Sequence, residues 1–232
     1  MRTLEQVAAE ARRCTVCAAH LPLGPRPVLH VSATARLLII SQAPGTKVHE
    51  TGQSFNDASG DRLRDWLGIT REQFYDVSRV AILPMGMCYP GRLPNGGDAP
   101  PRPECAKLWH PRLLPLMPRI ELTLLVGSYA QAAVLGRGAM AERVRCFADY
   151  LPRYFPLPHP SWRTVGWQRR NPWFGELVLP ELRRRVSALL EQRRTSVRHR
   201  TASTAPTQNE ERQRRPEQRQ AGGLGDRADR AE

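Results

Sequence analysis

Two pairs of cysteines are the first residues whose spacing suggests chemistry. Cys14 and Cys17 form a C-x2-C unit; after a gap of 70 residues come Cys88 and Cys105, separated by 16 residues. Four thiolates from two distant pairs suit either a tetrahedral zinc or an iron–sulfur cluster. Disulfides are not expected, because a cytosolic chain sits in a reducing compartment. The stretch between the second pair, YPGRLPNGGDAPPRPE, is rich in proline and glycine and has little with which to pack. A metal centre pinning it to an N-terminal helix is a sufficient reason for its presence. Cys146 has no partner and reads as a small core residue.

A different chemistry is suggested by SQAPGTKVHETGQSF, residues 41–55, which follows the apolar run RLLII without a break. The spacing GxxxxGK[ST] is absent, so this is not a phosphate loop. It offers the Gln42 amide, backbone N–H groups, the small residues Ala43, Pro44 and Gly45, and the Phe55 ring. Glycine there lets a ligand approach the backbone closely. His159 stands between two prolines in LPHPSWR, a setting that marks it as functional rather than structural. The following WRTVGWQRRNPWF has Trp and Arg residues able to track a nucleic-acid strand by stacking and charge, or to pack on the last helix.

The elements that must position these groups alternate. Apolar, β-prone runs cover residues 36–40, 75–83, 121–126 and 154–157. Helical stretches lie between them. Ser59 is placed to cap a helix over residues 60–67, and Thr70 with Gln73 reads as a capping box. A short helix is expected over residues 128–135. Leu182, Val186, Leu189 and Leu190 form one face of a helix beginning at Pro180. This alternation predicts an α/β fold, a three-layer α/β/α sandwich with a mainly parallel four-stranded central sheet. Ligands of such sheets sit at the carboxyl ends of the strands. Here those ends are SQAPG, PMGMC, GSYAQ and LPHPSWR.

The chain has 232 residues and a formal net charge of +13. From Gln192 onward ten arginines face six acids, so most of the excess lies in the body. A basic body points to an anionic partner, nucleic acid first among them. Residues 1–191 read as one domain. Residues 192–232 have no aromatic side chain and few apolar ones, and are expected to be a disordered basic tail. The first ~20 residues carry charges throughout, unlike a secretory signal. No run approaches the ~18 apolar residues of a membrane span. A cytoplasmic monomer without membrane contact is expected.

In their order and spacing these pieces resemble the uracil-DNA glycosylase superfamily over roughly residues 10–190. The likeness is greatest to its iron–sulfur branch, the family 4 and family 5 enzymes. SQAPGTKVHETGQSF is similar to that branch's first motif, Gly-Glu-Ala/Gly-Pro-Gly followed by an acidic stretch and Gly-x-Pro-Phe. LLVGSYAQAAVLG is similar to its third strand and following helix, and HPSWR to the second motif, His-Pro-Ser. The resemblance implies a DNA glycosylase of base-excision repair that hydrolyses the N-glycosidic bond of uracil or a related deaminated base. It implies a [4Fe–4S] cluster on Cys14, Cys17, Cys88 and Cys105, in preference to zinc. DNA carrying a damaged or deaminated base is the implied partner. A glycosylase takes its base out of the duplex into a closed pocket. Phe55 would stack on that base, and Gln42, Ala43 and Gly45 would surround it. His159 would donate to the base oxygen that gains charge, and Ser161 and Arg163 would contact the DNA.

The sequence also departs from the family pattern. Ala43 stands where family 1 has its catalytic Asp, His49 where family 4 has an Asp, and Pro84 where the uracil-reading Asn is found. Either His49 or Glu50 then activates the water, or the bond breaks dissociatively with little help. The second course is expected. A protein that kept the fold and cluster but lost turnover is the alternative.

Overall fold

The computed structural model describes residues 2–94 and 96–202, with side chains of the last helix only as far as Glu191. Among the described residues, β1 (Leu37–Ile40), β2 (Val80–Ile82), β3 (Leu122–Val126) and β4 (Tyr154–Leu157) form one sheet in the order β2-β1-β3-β4. Every pairing is parallel. The strands are short, almost wholly apolar runs, broken in β3 by the buried Thr123, as expected where both faces of a parallel sheet are covered. Alternate residues feed two cores. Leu37, Ile39, Val80, Ile82, Leu124 and Phe155 belong to one, and Leu38, Ile40, Ala81 and Leu125 to the other. The layers are therefore the expected α/β/α sandwich.

On the second face lie α1 (Leu4–Arg12), α5 (Pro103–Leu113) and α6 (Ser128–Leu135). Helix α1 starts at a capping box of Thr3 and Gln6, and buries Leu4, Val7, Ala8 and Ala11 beside Trp109 and Leu113 of α5. Between β1 and β2 come α2 (Thr46–Thr51), α3 (Ala58–Leu67) and α4 (Arg71–Tyr75). Between β3 and β4, α6 is followed by α7 (Met140–Arg145). After β4 come α8 (Arg163–Arg170), a π-helical turn over Phe174–Val178, and α9 (Leu179–Ala202). Helices α3 and α9 cover the first face through Leu63, Leu67, Leu182, Val186 and Leu190.

Several sequence expectations are altered in detail. Asp57, not Ser59, caps α3: its Oδ1 accepts from Gly60 N at 2.9 Å, because the helix begins one residue before Ser59. The run starting at Tyr75 is a strand only over Val80–Ile82. Helix α4 occupies Tyr75, and Asp76 then turns the chain by accepting from Ser78 N (3.0 Å) and Ser78 Oγ (2.6 Å). Cys146 is exposed at the end of α7 rather than in the core. Of the tail expected from Gln192, the backbone is helical through Ala202, and the remainder lies outside the described residues.

Candidate functional site

A cleft of about 740 Å³ opens at the carboxyl ends of the strands. That is within the ~300–1,000 Å³ of small-ligand sites. It gathers Gln42, Ala43, Gly45 and Phe55 from the segment after β1, and His159, Ser161 and Arg163 from the segment after β4. Residues about 115 apart in sequence meet there because β1 and β4 flank β3 in a parallel sheet. Pro84, following β2, lines the same cleft. It has no side-chain donor or acceptor, and its carbonyl lies 3.1 Å from His110 Nε2.

The His159 loop is fastened on three sides. Thr164 Oγ1 donates to the His159 carbonyl, and Arg62 Nη1 donates to the Pro160 carbonyl at 2.7 Å. Gly127, at φ +88°, lets the β3–α6 turn close in; a Cβ there would stand 3.3 Å from His159 Cβ. Fully buried Gln131 donates through Nε2 to the Leu157 carbonyl at 2.9 Å, tying β4 to the start of α6 just before the loop. Burial pushes the His159 imidazole below its ordinary value of 6.5, against the opposing pull of Asp57 and Asp98. The ring is therefore neutral at pH 7 and able to donate one hydrogen bond.

His49 departs from expectation. It is not among the residues lining the cleft; Gly45, just before α2, and Val48 within it line that side. One residue further is about 100° around a helix. The His49 ring accordingly lies 6.1 Å from that of Tyr89, and its buried Nδ1 has no hydrogen-bond partner among the described residues. Glu50 is exposed and likewise outside the lining. The carboxylates at the cleft are Asp57 and Asp98, neither expected from sequence. Asp57 holds the helix cap that the sequence reading gave to Ser59, and Asp98 was hidden in the Pro/Gly-rich loop. Trp162, the first residue of the Trp- and Arg-containing stretch noted in the sequence, lines the rim and is 74 % exposed.

Cys14, Cys17, Cys88 and Cys105 line one cavity between α1, α5 and the loop after β2. Ala11, Met87 and Trp109 wall it, and Met87 N donates to Cys105 Sγ at 3.3 Å. Burial pushes the Cys88 thiol up to about 11 and that of Cys105 to about 12. Among the described residues no group of three or more Cys, His, Asp or Glu converges as a ligand set for a single ion. The donor set is nonetheless all thiol, and such deeply desolvated sulfurs ionise only beside a cation.

No described helix is long and apolar enough to cross a membrane. A family model described as Uracil DNA glycosylase superfamily matches residues 29–183, more than half of the chain. The match takes in all four strands, the whole cleft, Cys88 and Cys105, and leaves out α1 with Cys14 and Cys17.

Proposed function

Because the chain belongs to the uracil DNA glycosylase superfamily, we propose that it is a DNA glycosylase hydrolysing the N-glycosidic bond of uracil or a related deaminated base in DNA. The observation that carries this reading is the meeting of Gln42, Phe55 and His159 in one cleft at the strand ends. An extruded base stacks on Phe55, while the Gln42 amide and the backbone N–H groups after it face the base carbonyls. Neutral His159 donates to the carbonyl oxygen that gains charge as the bond to the sugar lengthens. The sugar is left cation-like, and water adds to it. Asp57 is the group we assign to orient that water. Its carboxylate is part-buried and fixed by the cap to Gly60, whereas Asp98 is exposed. A [4Fe–4S] cluster on Cys14, Cys17, Cys88 and Cys105 is part of the same proposal, with zinc the lesser alternative. When bound it supplies a cross-link between α1 and the loop that carries Asp98, not a reacting group.

The test is cleavage of oligonucleotides bearing one uracil, hypoxanthine or xanthine, with alkali to reveal abasic sites. Strand scission at one of these bases is expected. Tight binding without scission on any of them would instead support a binding protein that has lost turnover, the reading favoured by Ala43 and Pro84.

Arg163 is proposed to enter the space the base leaves in the stack. Its guanidinium spans to the loop after β2, where a Cβ on Gly97 would stand 2.9 Å from Nη2, and it lies 5.5 Å over the Trp162 ring. Arg163→Ala should slow cleavage of duplex more than of single strands, which have no vacated stack to fill. Equal slowing on both substrates would make Arg163 a phosphate contact and leave Trp162 as the wedge.

A further inference from the structure

Phe55 is the one non-glycine residue with positive φ among the described residues, at +56°. An aromatic side chain rarely adopts this conformation, and it persists only where its surroundings over-determine it. Here they do. Arg64 Nη1 donates to the Phe55 carbonyl at 3.2 Å, and Tyr75 OH lies 3.1 Å from the same oxygen and 2.9 Å from the Ser54 carbonyl. The approach of α3 to this carbonyl requires glycine at position 60. A Cβ there would fall 1.7 Å from Phe55 O and 2.8 Å from Phe55 Cβ.

The clamp is itself held. The Arg64 side chain is buried, paired with Asp61 at 2.5 Å, and set over the rings of Phe74 (5.2 Å) and Tyr75 (5.7 Å). Phe74 meets the Phe55 ring edge-on at 5.9 Å. The carbonyl is thus drawn towards α3 and α4 while the ring borders the cleft. A buried guanidinium is a demanding group to place, and the mechanism above gives it no part.

The geometry points to Arg64 and Tyr75 as positioning residues that lock Phe55 in its left-handed conformation, so that the stacking ring is set before a base arrives. This rests on the reading of Phe55 as the base platform. Preorganising that ring removes an ordering cost from base capture. It leaves the bond-breaking step to His159.

Two measurements test it. In protein labelled with 4-fluorophenylalanine at its five phenylalanines, the Phe55 signal is assigned by its absence in Phe55→Leu. That ¹⁹F resonance should shift or broaden in Tyr75→Phe and Arg64→Met, with the signals of Phe147 and Phe155 unmoved. Tyr75→Phe keeps the ring packing, and Arg64→Met leaves only the 74 %-exposed Asp61 unpaired, so both should fold. For a single-stranded oligonucleotide bearing one uracil, Arg64→Met should raise the half-saturating concentration in single-turnover cleavage about tenfold, with the maximal rate within about threefold of wild type. In a Phe55→Ala background Arg64→Met should add nothing, since the ring it positions is gone.

An unmoved Phe55 resonance in both variants overturns the clamp, as do additive effects in the double variant. If the resonance moves but Phe55→Ala leaves base capture unchanged, the platform reading fails and the functional half of the proposal with it. The fluorine measurement needs no turnover, so it decides the conformational half even if wild type leaves uracil intact.

Discussion

His159→Ala is expected to lower the single-turnover cleavage rate by ~10²–10³-fold, the usual cost of removing one preorganised donor from a developing oxyanion. No acid stands at Ala43, and neither His49 nor Glu50 lines the cleft. On the proposed mechanism, stabilisation of the leaving base is then the largest contribution expected of the protein. His159 can supply it at neutral pH because its ring is uncharged, crowded by protein and held in place by Gly127, Thr164 and Arg62. The sign of the pH dependence follows. Burial penalises imidazolium, so the folded value lies below 6.5, and the neutral form survives as pH falls through 6.5. Cleavage should therefore hold steady across that range and decline only at lower pH. His49→Ala should cost little, and Gln42→Ala less than His159→Ala. A wild-type rate that climbs as pH drops through 6.5 would show that imidazolium is the working form. Normal cleavage by His159→Ala would remove His159 from the mechanism.

What the sequence disclosed and what it hid have physical reasons. Residues 37–40 are a continuous apolar run and 122–126 one broken only by Thr123, and a parallel sheet covered on both faces favours that pattern, so the sheet was readable. Gln42 and His159 were readable as cleft residues because each lies two residues past the end of a strand, β1 or β4, and Phe55 because it closes the motif that Gln42 opens, beyond the short α2. Position 49 misled because a motif written in one dimension does not record rotation about a helix. His49 and Val48 differ by a single residue, and Val48 is the one that faces the cleft. Asp57 and Arg64 were hidden for another reason. A cap carboxylate and a helical arginine look like ordinary solvated groups until α3 is packed against the Phe55 carbonyl, a contact permitted by the missing Cβ at Gly60. The positive φ of Phe55 has no sequence signature, because it is imposed by that packing rather than by the residue itself.

Cys88→Ala should cost the protein its colour, its iron and its soluble yield together. Wild type purified without oxygen is expected to be brown and to absorb broadly near ~400 nm, as cysteine-ligated iron–sulfur proteins do. Cys88 and Cys105 bracket a loop with little apolar content, and at neutral pH burial holds both thiols protonated unless a cation shares the cavity. The proposed metal centre would replace the packing the loop lacks. Structural metal sites contribute on the order of 10 kcal/mol to folding, comparable to the ~5–15 kcal/mol by which a whole domain is stable. Losing one of four ligands should therefore release the loop between β2 and α5, and with it Asp98 and the close approach of Gly97 to Arg163. Cys146→Ala is the control: that thiol is exposed and outside the cavity, so colour and yield should not change. Stoichiometric zinc without iron would replace the cluster by a single ion and keep the same cross-link. Four freely titrating thiols in a protein as stable as Cys88→Ala would show that the cavity is closed by packing alone.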